Sequence, residues 1–404
     1  MSTVNAKCTS CGAILEVDDS RDAAICPACG SAFVVAKAIQ YYEAPPEFEA
    51  LSGVLVKYNG TGEEVVIPEG ITAIGSSAFD DCAFLRSVTI PAGVTKIDTN
   101  AFRGCTNLSE VTLPETLEEV GRMAFEDCAI TELKVPERLS ILNIFSRCEK
   151  LEKVQIPETV KIIGDNAFEN CSLLTEIDIP ESVTAIGINA FKNCKGLRKL
   201  VIPETVTTIG AGAFKGCSNL EEIVLPKHVK LGCGGLFYGC SSLKDINLPE
   251  TVTAIGPNMF YGCKALKNAN IPEEARSVEA GAYGNCESIV NIIVPASVTE
   301  IKSGAFKGCS SLTNVYVHAD VIRLGSSVFE DCESLETVDM RGHVDDLGYD
   351  VFDGCDKLDS IYVSKDSGYE RILYRLKGEG KGSCIKPVGG KPEGFMTKLI
   401  NKII

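Results

Sequence analysis

Apolar and polar residues alternate in short runs that recur along most of the chain. In the segment LTEIDIP, Ile177 and Ile179 fall on one side of an extended backbone, and Glu176 and Asp178 fall on the other. Pro180 ends the run, because proline has no N–H to donate to a sheet. The alternation therefore predicts a short strand with one buried face.

Two further pieces follow each run. VTAIG indicates a second extended piece that ends at a glycine, and the small-then-aromatic spacing of NAFKNC is typical of one helical turn. A cysteine closes the unit, three residues after an aromatic residue that is Tyr283 in one unit and phenylalanine in the others. These cysteines are Cys82, Cys105, Cys128, Cys148, Cys171, Cys194, Cys217, Cys240, Cys263, Cys286, Cys309, Cys332 and Cys355.

The spacing of the cysteines is 23 residues at every step except one, which is 20. A fixed period of this size predicts a solenoid, in which each unit buries its apolar face only against its neighbours. Like strands then lie about 4.8 Å apart. We predict an α/β solenoid with a parallel β-sheet on one face and short helical turns on the other. The short unit, after Cys128, lacks the glycine and predicts an altered coil.

The repeat resembles the BspA-like subclass of leucine-rich repeats, whose units follow the pattern L-x-x-V-x-I-P-x-x-V-T-x-I-G-x-x-A-F-x-x-C. The resemblance covers residues 54 to about 363, and the last units depart from it by replacing the proline with His318, Arg341 and Ser364. It implies a binding protein without enzymatic activity. Many members of that family are secreted surface proteins that bind molecules of a host or a neighbouring cell.

The chain divides into four segments. We predict a zinc ribbon over residues 1–39, a proline-containing linker over 40–53, the solenoid over 54–376, and a flexible tail over 377–404 with a short amphipathic end. Asn59-Gly60-Thr61-Gly62 is a strong hairpin signal and predicts a hairpin cap over 54–67. YERILYRL predicts a short helix that caps the last coil.

The N-terminal segment contains two C-x-x-C-G knuckles, CTSCG and CPACG, with 14 residues between them. Four thiolates at Cys8, Cys11, Cys26 and Cys29 predict a closed tetrahedral shell around a structural zinc ion, and the glycines permit the tight turns. A redox dithiol pair and a catalytic zinc are the alternatives. The segment also resembles the zinc ribbons at the N-termini of many cytoplasmic bacterial proteins.

The repeat cysteines are interpreted as packing residues inside the coils, since free cysteine is among the most buried residue types. Equivalent positions in adjacent coils lie about 4.8 Å apart, which is longer than the ~3.8 Å between the Cβ atoms of a disulfide. This spacing speaks against a chain of disulfides. Cys233 and Cys384 fall outside both cysteine patterns, and we predict that Cys384 is the more exposed thiol.

The outward strand positions of the later units are rich in amides and tyrosines. We predict that they align into a strip of hydrogen-bonding groups with aromatic anchors, suited to a polypeptide or glycan ligand. The alternative is that these residues merely suit a solvated sheet face. The candidate binding residues are Asn268, Asn270, Asn291, Asn314, Tyr316 and Tyr362.

A glutamate follows most of the strand-ending prolines and forms a second stripe, the glutamate ridge. Like charges one coil apart favour a cation or a basic partner, and a plain solvated row is the alternative. The ridge consists of Glu69, Glu115, Glu137, Glu158, Glu181, Glu204, Glu250 and Glu273.

Composition limits the remaining options. The chain has 404 residues and a formal net charge of −16, so we expect no attraction to nucleic acid or anionic lipid. Its histidines, His228, His318 and His343, are isolated, and no catalytic motif is present, which predicts that the protein is not an enzyme.

The absence of an apolar leader favours the cytoplasm, with the cell surface as the alternative by resemblance. Phe395–Ile404 could dock on the solenoid or a partner, lie on a membrane or stay disordered.

Together these features predict a non-enzymatic scaffold that recognises a protein or glycan partner on the solenoid surface, with zinc as a structural cofactor. One alternative is a regulatory or nucleic-acid-associated protein that acts through the ribbon. The few basic residues of the ribbon, Lys7, Arg21 and Lys37, speak against it. The other alternative is a surface adhesin.

Overall fold

The fold is described from a computed structural model of the chain. The structure describes residues 3–8, 10–11, 13–18, 23–34, 47–318, 323–340, 344, 346–365 and 369–388. Phe395–Ile404, for which we predicted an amphipathic segment, lies outside these residues. No helix among those described has the length and apolar character to cross a bilayer.

The N-terminal unit consists of two antiparallel hairpins. In the first, β1 (Thr3–Lys7) pairs with β2 (Ile14–Asp18), and in the second, β3 (Ala23–Ile25) pairs with β4 (Ala32–Val34). Each pair of cysteines lies at the turn of one hairpin. Cys8, Val17 and Cys26 are the buried apolar residues among those of this unit whose burial the structure describes.

The solenoid begins with a hairpin that lies earlier in the chain than predicted. β5 (Phe48–Leu51) pairs antiparallel with β6 (Val54–Tyr58), so the predicted linker contributes a strand and the prediction of a hairpin over 54–67 is wrong. The reason is Tyr58, whose ring packs against Phe48 at 5.2 Å and against Phe79 at 4.9 Å. Its hydroxyl accepts the N–H of Gly62 at 3.1 Å, so the glycine-rich segment wraps around the ring instead of forming the turn.

Most coils contribute one strand to each of two rows. Segments 174–180, 243–249 and 266–272 contribute no strand to the first row, so the prediction of a strand in LTEIDIP is wrong, although Ile177 and Ile179 are buried as expected. The strands that precede the prolines form sheet 1: β7 (Glu64–Val66), β9 (Ser87–Thr89), β11 (Glu110–Thr112), β13 (Glu132–Lys134), β15 (Lys153–Gln155), β18 (Lys199–Val201), β20 (Glu222–Val224), β24 (Asn291–Val294), β26 (Asn314–Val317), β28 (Thr337–Met340) and β30 (Ser360–Ser364).

The second extended pieces form sheet 2, which continues from β6. Its strands are β8 (Ala73–Ile74), β10 (Lys96–Ile97), β12 (Glu119–Val120), β14 (Ile141–Leu142), β16 (Ile162–Ile163), β17 (Ala185–Ile186), β19 (Thr208–Ile209), β21 (Lys230–Leu231), β22 (Ala254–Ile255), β23 (Ser277–Val278), β25 (Glu300–Ile301), β27 (Arg323–Leu324) and β29 (Asp346–Leu347).

Neighbouring coils pair in parallel and in register. Val88 of β9, for example, lies opposite Val65 of β7 and Val111 of β11. Short turns that carry the aromatic residue and the cysteine close each coil. The predicted solenoid fold is therefore confirmed, with the second extended piece forming a parallel row of its own.

The interior is held together by two ladders that run from coil to coil. The aromatic rings stack on one another at centroid distances between 4.7 and 5.8 Å from Phe79 onward. Each repeat thiol from Cys105 to Cys355 donates to the carbonyl oxygen of an aromatic residue in the preceding coil, as Cys194 does to Phe168 at 3.0 Å. The cysteines therefore fill space and also satisfy a buried acceptor in the neighbouring coil.

The short unit after Cys128 interrupts the ring ladder and both sheets, as its missing residues predict, whereas the thiol ladder continues through Cys148, which donates to Phe125 O at 3.2 Å. Strand β13 pairs with β15 but not with β11, and β14 pairs with β16 but not with β12. The stacked rings end at Phe125 and resume at Phe145 with Phe168. Exposed ion pairs cross this junction, as between Lys134 and Glu115 at 3.0 Å.

The C-terminal end differs in part from the prediction. Helix α1 (Tyr369–Gly378) is the predicted cap, and it buries Ile372 and Leu376. A 3-10 turn (Gly382–Cys384) then leads into β31 (Ile385–Val388), which pairs in parallel with β30, so the segment predicted as a flexible tail begins with a strand. The prediction that Cys384 is the more exposed of the two remaining thiols is wrong: Cys233 is exposed, whereas Cys384 is half-buried. The Cys384 thiol donates to Leu358 O at 3.1 Å because the last strand holds it against the final coil.

Candidate functional site

The four N-terminal cysteines come together at the turns of the two hairpins. The Sγ atoms of Cys8 and Cys29 lie 3.8 Å apart, those of Cys11 and Cys26 lie 3.7 Å apart, and all four lie within 4.8 Å of one another. The turns are closed by backbone hydrogen bonds, as from Cys8 N to Ala13 O at 2.8 Å. Among the described residues, this is the only cluster of three or more cysteine, histidine or carboxylate ligands that could hold a metal ion.

Hydrogen bonds around the cluster favour thiolates at two of the four positions. The side chain and the N–H of Ser31 lower the pKa of Cys29 to about 6, and backbone N–H groups, first that of Cys11, lower the pKa of Cys8. For Cys11, the N–H of Ala13 acts in the same direction, but hydrogen bonding to Cys29 and burial raise its pKa to about 12. Without a metal, the cluster therefore favours thiolates at Cys8 and Cys29 and a protonated thiol at Cys11. A bound cation would favour deprotonation of the remaining thiols.

Glycine has the expected role in the second knuckle. Gly30 has φ +74, and its N–H donates to Cys26 O at 2.8 Å. A residue with a side chain would be strained in this left-handed conformation. Gly12, the corresponding residue of the first knuckle, lies outside the described residues.

We call the outward side of sheet 1 the strand face. Of the predicted amide strip, Asn291 and Asn314 lie in its strands β24 and β26, whereas Asn268 and Asn270 lie where sheet 1 is interrupted. Asn268 and Asn270 are exposed, whereas Asn291 and Asn314 are half-buried. The side-chain amide of Asn314 donates to Asn291 Oδ1 at 2.9 Å. The amides of Asn291 and Asn314 therefore align between neighbouring coils, and part of their hydrogen-bonding capacity is used there. Their role in binding stays a prediction.

The tyrosines of the strip are less accessible than expected. Tyr316 is only 9% exposed, and Tyr362 is half-buried. Asp339 and Ser360, which occupy outward positions in the following coils, are also buried. Outward side chains are therefore buried in this part of the sheet, and the prediction that Tyr316 is an exposed aromatic anchor is wrong.

Large apolar side chains are exposed elsewhere on the strand face, and sequence reasoning overlooked them as a group. Each lies two residues before the proline position of its coil, where the alternation places an outward side chain. The exposed fractions are 70% for Val66, 53% for Val201, 45% for Val224 and 41% for Ile293. Val201 and Val224 lie opposite each other in β18 and β20, so they form a continuous apolar patch.

A groove of about 780 Å³ lies beside this patch, and we call it the central groove. Its lining includes Val224, Leu225, Lys227, His228, Asn247, Leu248, Glu204, Glu250 and Glu274. A contiguous groove of about 350 Å³ adds Asn270 and Glu273.

The central groove opens where sheet 1 is interrupted between β20 and β24. Asn270 has φ +40, and its side-chain amide donates to Asp245 Oδ1 at 2.8 Å and to Ile246 O at 2.9 Å. These local bonds replace the strand ladder in two successive coils. Leu225 and Leu248, which lie beside this interruption, are only half-buried.

A second groove, of about 440 Å³, lies on the strand face at the short unit. The shorter coil has a smaller perimeter than its neighbours, and the flanking residues Val111 and Val154 are half-exposed there. Lys153, Glu176 and Asp178 are among the residues at its rim. This groove has carboxylates and amines in similar numbers.

The glutamate ridge is exposed along its described length, and its members differ in their partners. Glu115 forms an ion pair with Lys134, whose ammonium group lowers the pKa of the carboxyl. Glu204 accepts the backbone N–H of Lys227 at 3.1 Å. His228 and His318 are exposed on separate coils, and His343 lies outside the described residues.

Comparison with known families identifies the repeats. A family model described as BspA type Leucine rich repeat region matches residues 58–144, 141–267 and 234–359. The chain therefore belongs to the BspA-type leucine-rich repeat family. No curated protein matches it.

Several solved structures share the fold. A leucine-rich repeat protein from Bacteroides ovatus is 23% identical, with 96% of this chain and 98% of that chain covered and a TM-score of 0.62. A leucine-rich repeat protein from Eubacterium ventriosum is 21% identical over 74% of this chain and 88% of that chain, with a TM-score of 0.54. The pneumococcal vaccine antigen PcpA is 19% identical over 84% and 92%, with a TM-score of 0.53. At these identities the similarity establishes the fold alone.

Proposed function

We propose that this protein is a non-enzymatic scaffold that recognises a partner on its strand face. The observation that supports it best is the set of exposed valine and isoleucine side chains at one repeat position, including the neighbours Val201 and Val224. Contiguous exposed apolar surface on a soluble protein marks an interaction site. Solenoids use such extended surfaces for recognition.

A protein is favoured over a glycan as the partner. The branched aliphatic side chains of the patch offer apolar area but no hydrogen bonds, and burying this area against another protein is favourable by about 25 cal/mol per Å². The ion pair between Lys199 and Glu222, at 2.9 Å, lies on the same two strands and gives the patch a polar border. An apolar centre with a polar rim is typical of protein interfaces.

We also propose that Cys8, Cys11, Cys26 and Cys29 hold a structural zinc ion. Zinc–sulfur bonds of about 2.3 Å in a tetrahedron place the sulfur atoms about 3.8 Å apart. The observed separations of 3.8 and 3.7 Å fit this geometry. Four cysteine ligands leave no open coordination position, which favours a structural rather than a catalytic ion.

We propose a location in the cytoplasm, because a zinc shell and buried packing thiols both need reduced cysteines. The repeat cysteines act as hydrogen-bond donors, which requires the S–H form, and the proposed zinc shell requires unoxidised sulfur atoms. An oxidising cell-surface environment is the alternative. There the exposed Cys233 is the first thiol of the solenoid expected to be modified.

The double variant V201E/V224E tests the proposed function. We expect the full-length, zinc-loaded wild type to capture a partner from native lysate, and the variant to capture at least about tenfold less of it, because charged side chains replace the apolar centre of the interface. The measurement is quantitative mass spectrometry of the captured proteins.

The matched control is I188E, because Ile188 is also half-exposed but lies in a turn after sheet 2 rather than on the strand face. Capture by wild type and I188E together with loss in V201E/V224E supports the proposal. Equal capture by all three proteins would contradict the proposal that the partner binds on the strand face.

A further inference from the structure

We propose that the central groove binds a partner segment in which basic and apolar side chains alternate. This inference rests on the proposed function and names the chemistry of the partner. It combines three features of the groove: a half-buried apolar floor, a rim of carboxylates, and continuity with the apolar patch of Val201 and Val224.

The floor of the groove consists of leucine side chains that the fold leaves incompletely covered. Leu225 and Leu248 hold the same repeat position as Ile90 and Ile202, which are buried. Both leucines are half-buried and lie where the strand ladder of sheet 1 stops after β20. A bound apolar side chain would complete the burial that sheet 1 provides in regular coils.

The rim of the groove is acidic. Glu250, Glu273 and Glu274 are exposed, and no carboxylate of the three forms an ion pair within the described part of the chain. Among the described residues that line the groove, Lys227 is the only lysine or arginine, and its backbone N–H donates to Glu204 at 3.1 Å. A partner with lysine or arginine side chains would supply the missing positive charge.

The carboxylates of the rim are arranged for a polypeptide rather than for a single metal ion. They belong to successive coils, and no three of the described carboxylates come within reach of one ion. An extended segment places alternate side chains on opposite sides. Its apolar side chains can therefore contact the leucines and Val224, while its basic side chains face the rim.

The test uses the full-length protein and a fluorescein-labelled peptide that alternates lysine and valine. We expect wild type to raise the fluorescence polarisation of this peptide, and a peptide with glutamate in place of lysine to leave it unchanged. The triple variant E250Q/E273Q/E274Q is expected to raise the Kd of the lysine peptide about tenfold, because it removes the charge of the rim without changing side-chain shape.

The matched control is E69Q/E158Q/E181Q, which changes the net charge equally at exposed positions of the same ridge outside the groove. We expect it to change the Kd by less than about twofold. Equal weakening by both triple variants would show general attraction to an acidic protein and would overturn the proposal. So would the absence of binding, or displacement of the peptide by millimolar calcium. Val224 belongs to both the patch and the groove, so V201E/V224E changes both. Capture from lysate that is lost in V201E/V224E but kept in E250Q/E273Q/E274Q would support the proposed function and reject the groove, so the two failures are distinguishable.

Discussion

Removal of the metal is expected to unfold the N-terminal unit while the repeats stay folded. Among the residues of this unit whose burial is described, the buried apolar ones are Cys8, Val17 and Cys26, and so short a segment has too small a core for independent stability. In segments of this kind the binding of zinc, about 10–16 kcal/mol, provides the folding free energy. We expect one zinc ion per chain by native mass spectrometry, and none in C26S.

Hydrogen exchange localises the effect. In the C26S variant, the amides of β1 to β4 are expected to exchange as fast as in an unfolded peptide, while the amides of sheets 1 and 2 keep their protection. C233S is the control, because Cys233 is an exposed cysteine of the solenoid. Retention of a stoichiometric zinc ion in C26S, or full amide protection of the metal-free hairpins, would refute the proposed zinc site.

Truncation of one ring in the middle of the array is expected to have the next largest effect. Phe214 is fully buried and stacks on Phe191 at 5.8 Å and on Phe237 at 5.6 Å. F214A leaves a cavity between two neighbouring coils and is expected to lower the free energy of unfolding by about 3–5 kcal/mol. Chemical denaturation followed by circular dichroism measures the change.

The control for this variant is F84A, since Phe84 is 36% exposed and lies outside the stacked ladder. We expect it to cost less than about 1 kcal/mol. Because repeat proteins are stabilised by contacts between neighbouring coils, the F214A effect should be largest in hydrogen exchange of the coils on either side. A cost for F214A similar to that of F84A would show that the ring ladder does not hold the coils together.

The period of the sequence was sufficient to predict the solenoid. A 23-residue unit with an alternating run, a proline and a buried aromatic residue can satisfy its apolar positions only against copies of itself. The missing residues after Cys128 also predicted an irregular coil, and sheet 1 and sheet 2 are both interrupted there. The paired C-x-x-C spacing correctly placed four sulfur atoms in one cluster.

The details of the surface could not be predicted from the repeat. The left-handed conformation of Asn270 opens the central groove, although its position in the repeat predicts a regular strand residue. The packing of Tyr58 moves the N-terminal hairpin, and the burial of Tyr316 depends on its tertiary surroundings. These features arise from contacts between coils, and the residue pattern of a single coil does not predict such contacts.

The central claim is that the repeat cysteines are packing residues of stacked coils. Burial raises the pKa of Cys217, Cys309 and Cys148 to about 12 each, so at pH 8 these thiols are almost fully protonated and inaccessible. Mass-resolved alkylation of the native, zinc-loaded protein at pH 8 tests the claim directly. We predict rapid modification of Cys233 and protection of the repeat cysteines until the protein is unfolded. Modification of the repeat cysteines at the rate of Cys233 in the folded protein would contradict it.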